Sequence, residues 1–148
     1  MSRPSGDRIR PDSPDDYPYR LDLPTRWNDN DVYGHINNAV YYFYFDTVVN
    51  RWLIDHGLLR LGESETIGLV VDTGCSYFAP LAFPQTVTAG LRVSEIGNTS
   101  VRYEIGLFGE DGLCAARGHF VHVYVNEKTR RPVSMSDRMK RTLEELRL

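Results

Sequence analysis

Residues 37–56 read N-N-A-V-Y-Y-F-Y-F-D-T-V-V-N-R-W-L-I-D-H, and this stretch decides the fold. It contains neither Pro nor Gly. Asn37 or Asn38 can cap its start, and Gly57 comes directly after to end it. The pattern predicts a single helix, a rod of about 28 Å at the α-helical rise. Its apolar residues do not form one stripe. Positions 40–45 are apolar all round, and Val48, Val49, Trp52, Leu53 and Ile54 continue the pattern. A helix apolar on most sides has to be covered by other elements, so the Tyr and Phe cluster reads as core packing rather than a cofactor box.

The second half of the chain supplies the cover. Residues 67–79, 85–96, 99–109 and 113–125 read as strands, with the clearest alternation at Val87, Ala89, Leu91, Val93 and at Val101, Tyr103, Ile105, Leu107. Gly97-Asn98 and Asp111-Gly112 stand between runs as two-residue hairpin turns, which makes the last three strands an antiparallel meander. Before the helix, residues 17–27 roughly alternate and predict a first strand, with Pro24 marking an edge. A short amphipathic helix over about 136–147 closes the chain, with Met139, Leu143 and Leu146 on one side. Residues 1–16, rich in Pro, Asp, Arg and Ser, predict a mobile tail, and residues 17–148 one domain. The expected class is α+β: a curved antiparallel sheet of five strands around a long central helix.

Composition narrows the functions. With 148 residues, 41% hydrophobic and 25% charged, the chain reads as globular. A net charge of -3 argues against a general nucleic-acid or anionic-membrane binder. Fifteen Arg against two Lys suit bidentate phosphate recognition, and suit a biased base composition equally well. Cys75 and Cys114 have no CxxC spacing and sit in apolar runs, so buried free thiols are expected. His119 and His122 alternate within one strand without a ligand-like partner, and no metal or redox cofactor is expected. No apolar run approaches the ~20 residues of a membrane span. The N-terminus lacks a signal-peptide core, so a cytoplasmic protein is expected.

The chemistry concentrates in residues 29–38, D-N-D-V-Y-G-H-I-N-N, between the first strand and the helix. A helix N-terminus offers unpaired N–H groups and the positive end of the dipole, which can hold an oxyanion forming on a carbonyl. A carboxylate a few residues upstream can reach the same point. That pairing suits acyl transfer.

The run Thr25–Tyr41, T-R-W-N-D-N-D-V-Y-G-H-I-N-N-A-V-Y, resembles the signature of the hotdog-fold acyl-CoA thioesterases, in the 4-hydroxybenzoyl-CoA thioesterase branch. The likeness continues more weakly through Val70–Pro80 and Ile96–Ser100, and spans about Tyr19 to Val133. It implies a hydrolase that splits an acyl-CoA into free acid and CoA. Asp31 would be the carboxylate that attacks the thioester or activates a water. The backbone amide of about Asn38 would polarise the carbonyl, and His35 would be a positioning residue. Asp29 reads as structural, bonding loop amides or Arg26, and Gly34 as the residue that permits a tight turn. Asp46, mid-helix among aromatics, is the alternative base, because another hotdog branch uses a carboxylate about two turns into the helix. Its bland reading is a hydrogen bond to Asn50. Arg102, Arg117, Arg130 and Arg131 are candidates for the CoA phosphates.

The resemblance also implies a homodimer at minimum, in a homotetramer, with coenzyme A entering only as part of the substrate. The wrapped helix points the same way: five strands cannot cover a rod that is apolar on most sides. Two other readings stand beside hydrolysis. A hotdog dehydratase of hydroxyacyl thioesters would need a different His and carboxylate motif. A non-catalytic acyl-CoA binding module could dispense with Asp31.

Overall fold

The computed structural model describes residues 12–60, 62 and 65–147. Strand β1 (Tyr19–Pro24) leads to helix α1 (Val40–Asp55). Strands β2 (Thr66–Tyr77), β3 (Thr86–Ile96), β4 (Ser100–Phe108) and β5 (Cys114–Asn126) come next, and helix α2 (Asp137–Glu144) is last. The five strands form one antiparallel sheet in the order β1-β3-β4-β5-β2. This is the expected hotdog architecture, with the sheet folded against α1.

Alternation in the strands decides which face α1 meets. Val87, Ala89, Leu91 and Val93 of β3 and Val101, Tyr103, Ile105 and Leu107 of β4 are all buried. They meet the α1 face built from Tyr41, Tyr44, Phe45, Val48, Val49, Trp52 and Leu53, whose spacing is that of one side of a helix. At Gly118 the sheet presents no side chain, and the Phe45 ring fills that room. Phe43 and Ile54, on the opposite side of α1, stay 66% and 41% exposed. One chain therefore covers one face of the rod and leaves apolar surface on the other.

The helix ends agree with the sequence, with small shifts. The regular helix begins at Val40, and Asn37 caps the turn leading into it: its Oδ1 accepts from the Ala39 amide at 2.9 Å and its carbonyl from the Val40 amide at 2.9 Å. Gly57 ends α1 with φ +69. Its amide donates to Ile54 and that of Leu58 to Leu53, the pair of bonds that closes a helix through a left-handed residue.

Three expectations need correction. Asp111-Gly112 is not a two-residue turn. The β4–β5 connection runs over residues 109–113, with Gly112 at φ +77 and Gly109 donating to the Leu113 carbonyl. The first strand stops at Pro24 instead of continuing to Trp27, because Trp27–Asp29 coil into a 3-10 turn. The tail boundary at residue 16 also moves. Residues 1–11 lie outside the described residues, but Asp12 and Pro14 are half-buried against the domain while Ser13, Asp15 and Asp16 stay exposed. The Tyr17 hydroxyl donates to Asp12 at 2.7 Å, and Arg92 and Arg117 approach the same carboxylate at 3.4 and 3.5 Å. Tyr17 lies flat over Gly90 and Gly106, where any Cβ would collide with its ring, and Arg92 covers it at 4.6 Å.

The Asp12 contacts make a stability prediction. A chain truncated through residue 16 should be less stable than one truncated through residue 11, by roughly 1–3 kcal/mol for the lost charge-assisted bonds. Thermal melts of the two truncations, followed by circular dichroism, make the comparison, and coincident melts would show that Asp12 adds nothing.

Candidate active site

The site begins with a buried charge. Asp29 is 1% exposed. Its Oδ2 accepts from the Arg26 amide at 2.8 Å and the Tyr44 hydroxyl at 2.7 Å, and its Oδ1 from the Arg26 guanidinium at 3.3 and 3.2 Å. Its carbonyl accepts from the Asn37 amide at 2.8 Å. Desolvation pushes the Asp29 carboxyl upward. The Arg26 amide, the Tyr44 hydroxyl and the Arg26 charge outweigh it and hold the group below its usual range. Asp29 is thus the structural carboxylate expected from sequence, with Arg26 as a partner. Tyr44 escapes a reading of the sequence, because a Tyr inside an aromatic run reads as packing until its hydroxyl finds a neighbour.

The Asp29 clamp fixes the adjoining loop. Asn30 and Ile36 form an isolated bridge, the Ile36 amide donates to Leu81 at 2.7 Å, and Asn30 Oδ1 accepts from the Phe83 amide at 3.0 Å. Between these ties the chain turns over at Asp31–Gly34. The Asp31 amide donates to the His35 carbonyl at 2.8 Å and the Gly34 amide to the Asp31 carbonyl at 3.1 Å, with Gly34 at φ +81 as its tight turn requires. The Asp31 carboxylate is partly exposed, and its Oδ1 accepts from the Tyr33 amide at 2.8 Å. Val32 and Tyr33 beside it are almost fully exposed, and His35 is exposed as well.

The start of α1 supplies the second element. The Asn38 carbonyl accepts from the Tyr77 hydroxyl at 2.8 Å, which ties the turn to strand β2. Among the described residues no acceptor is bonded to the Asn38 amide, whereas the amides of Ile36, Asn37, Ala39 and Val40 all have partners. Tyr77 is a second residue that sequence reasoning misses, since its strand pattern marks only a side chain facing the helix. Cys75, two residues before it, has its thiol pushed up to about 11 by burial, which leaves it protonated near neutral pH.

The alternative base lies further along the helix. Asp46 sits on the flank of α1, and desolvation raises its carboxyl. Asn50 donates to the Asp46 backbone carbonyl at 2.9 Å, not to its carboxylate. The four arginines do not gather at Asp31. Arg102 and Arg117 stand on the outer face of the sheet, away from α1. There they line a cavity of about 420 Å³ with Glu104 and His119, and His119 meets Asp72 at 2.9 Å. Arg130 and Arg131 lie in the exposed turn after β5. No group of three His, Cys, Asp or Glu side chains among the described residues is placed to hold a metal ion. No helix among them is long and apolar enough to cross a membrane.

A family model described as the thioesterase-like superfamily matches residues 25–143. The chain belongs to this superfamily. The match opens at Thr25, at the threshold of the Asp29–Asn38 loop, and runs into α2. Among solved structures, the PA5185 protein of Pseudomonas aeruginosa strain PAO1 is 46% identical, with a TM-score of 0.89 over 93% of this chain and 97% of its own. A Thermus thermophilus thioesterase complexed with coenzyme A and zinc is 26% identical, with a TM-score of 0.75 over 88% of this chain and 95% of its own. The YsmA protein of Bacillus subtilis (strain 168) is 24% identical over 123 residues, 82% of each chain.

The thioesterase-like loop depends on Asp29, and this can be checked. Asp29→Asn should cost roughly 2–4 kcal/mol, because it weakens the Arg26 and Tyr44 bonds of a buried carboxylate. The folded pKa lies below the unfolded value of about 3.9, so the stabilisation is present above that value and is lost as pH falls through the folded pKa. Urea unfolding from pH 7 down to pH 2 should show the wild type losing more stability than Asp29→Asn, and parallel curves would remove Asp29 from this role.

Proposed function

We propose that this thioesterase-like protein hydrolyses an acyl-CoA thioester, with Asp31 as the reacting carboxylate and the Asn38 amide as the donor to the carbonyl oxygen. What supports the reading is a partly exposed carboxylate at Asp31 and, seven residues on, a helix-start amide at Asn38 with no partner among the described residues, in a segment tied down around Asp29. As nucleophile, Asp31 attacks the thioester carbon, the C–S bond breaks, and the CoA thiolate leaves and takes up a proton. Water then splits the mixed anhydride and restores the carboxylate. As general base, Asp31 takes a proton from the water that attacks the same carbon. In both routes the Asn38 amide faces the developing oxyanion. His35 holds the loop through its carbonyl, which accepts from the Asp31 amide. The relative crystallised with coenzyme A supports CoA as the carrier.

The same reading includes a homodimer. β2 is an edge strand with both faces open, and Val70, Val71 and Tyr77 are 45%, 60% and 44% exposed along it. A bare apolar edge is a pairing surface. Edge-to-edge pairing of two β2 strands would also bring the partner close to the flank of α1 that carries Asn50, which lies beside the start of β2. A dimer of dimers, as the family resemblance implies, extends the same proposal.

A panel of acyl-CoAs followed by thiol release tests the activity, and two variants test the assignment. Asp31→Asn should stay folded and lose roughly a hundred- to ten-thousand-fold in kcat. If Asp31→Asn keeps its turnover while Asp46→Asn is dead, the base lies on the flank of α1. Light scattering should give at least twice the 17.0 kDa of one chain. A fully active monomer would exclude the dimer.

A further inference from the structure

At the opposite end of α1 from Asp31, a cavity of about 110 Å³ opens between α1, the start of β2 and the end of β5. Leu53, Leu58 and Ile67 give it apolar walls, and Asn50, Tyr124 and His122 bring polar atoms to it. His122 is 4% exposed, and among the described residues neither ring nitrogen has a hydrogen-bond partner. Behind it the buried Tyr103 hydroxyl lies beside that of Tyr124, and the Tyr103 and His122 rings meet edge to face at 5.1 Å. Buried polar groups are nearly always paired, and each one left bare is costly. A bare, buried imidazole in the wall of a cavity therefore calls for a ligand.

The chemistry of the wall narrows the ligand. Burial pushes the His122 imidazole down to about 4, so at neutral pH it is uncharged and offers one donor and one acceptor. The Tyr124 hydroxyl, pushed up to about 12 by burial, is uncharged as well. Such a wall complements a hydroxyl, which both gives and takes a hydrogen bond, and it offers nothing to neutralise a carboxylate. The space is somewhat smaller than the roughly 150 Å³ apolar cavity that takes benzene. A second cavity of about 280 Å³ shares Leu58 and Tyr124 with it and leads out past α2. Gly68 keeps the room open: a Cβ there would stand 3.1 Å from His122 Nδ1 and 3.3 Å from Tyr124 Cζ.

We propose that this cavity is a binding subsite for an uncharged hydroxyl-bearing group of ring or short-chain size, held by His122 with Asn50 and Tyr124. Two sources share that chemistry. One is the far end of the acyl group, an assignment that rests on the thioesterase reading. From Asn38 to Asn50 the chain rises about 18 Å at the helical pitch, so an extended acyl group reaching the cavity from the same helix start needs roughly fourteen carbons. The other source is a separate small molecule, which needs no enzymatic activity at all.

The test uses the full chain with phenol and benzene as probes, titrated by calorimetry. Wild-type protein should bind phenol about tenfold more tightly than benzene, the value of one well-made hydrogen bond to a buried partner. His122→Phe should abolish that preference. Gly68→Ala, which narrows the space and keeps the imidazole, should weaken both probes. Thermal melts establish that each variant is folded, and the wild-type preference is decisive without any variant. A second arm compares kcat/KM for a fatty acyl-CoA and its ω-hydroxy counterpart. A wild-type preference for the hydroxylated chain that vanishes in His122→Phe assigns the subsite to the acyl group, while phenol selectivity without it assigns the subsite to a separate ligand. Wild-type protein that binds neither probe, or binds phenol and benzene alike, overturns the proposal. A chain with no thioesterase activity leaves the phenol result standing.

Discussion

One carboxylate taken out of water organises the functional end of this molecule. Asp29 would be intolerable in its position without partners, since an ion of that kind costs several kcal/mol to desolvate. Its carboxylate is held from two places, Arg26 just after β1 and Tyr44 in the second turn of α1, while the Asn37 amide bonds the Asp29 backbone carbonyl. Any displacement of Arg26 relative to the helix strips a bond from a buried charge. The loop between Asn30 and Ile36 is therefore closed at a fixed base, and Asp31 and the Asn38 amide inherit their positions from that base.

The same small set of elements leaves the chain unfinished elsewhere. Five strands against one helix cover only the face of α1 that carries Tyr44, Phe45, Val48 and Trp52. The surface left bare is continuous in kind: Phe43 and Ile54 on the helix, and Val70 and Val71 on an edge strand with both faces open. Solvent-facing edges are usually blunted by charge or Pro. Residues 66–71, T-I-G-L-V-V, contain neither. The molecule keeps a pairing surface next to the flank of α1 where Asp46 and Asn50 lie, so assembly and the shape of the acyl path are parts of one problem.

Legibility in the sequence depends on the range of the interactions. The long helix, the meander and the role of Asp29 toward Arg26 are readable, because each depends on residues close in sequence: a cap at Asn37, a stop at Gly57, a period of two in β3 and β4. The β4–β5 connection misleads because an Asp-Gly pair scores as a tight turn wherever it falls, while the strand ends are set by pairing of Phe108 with Cys114. The tail boundary misleads for a similar reason. Asp12 has nothing local to recommend it, and its partners Arg92 and Arg117 stand far along the chain on β3 and β5. Tyr44 and Tyr77 are hidden by their own aromatic bulk, since only a structure shows where a phenol hydroxyl ends.

Asp29 and Asp31 stand two residues apart, with identical chemistry and opposite circumstances. Asp29 is surrounded by donors and shut away, which makes it a poor nucleophile and a good anchor. Asp31 is placed in a turn that the anchor holds, with one oxygen bonded to the Tyr33 amide and the carboxylate partly in solvent. A rigid base under a reachable carboxylate is what a positioned nucleophile or base requires, because orientation supplies much of the rate. This arrangement is local and can be written in ten residues. Selection of the acyl group cannot be. If the cavity at the far end of α1 takes the acyl group, selection falls to residues such as Asn50, Gly68 and His122, brought together from a helix and two strands, each of which reads in the sequence as ordinary packing. A chain can therefore keep the loop from Asp29 to Asn38 unchanged while residues distant in sequence reshape the far end of the helix.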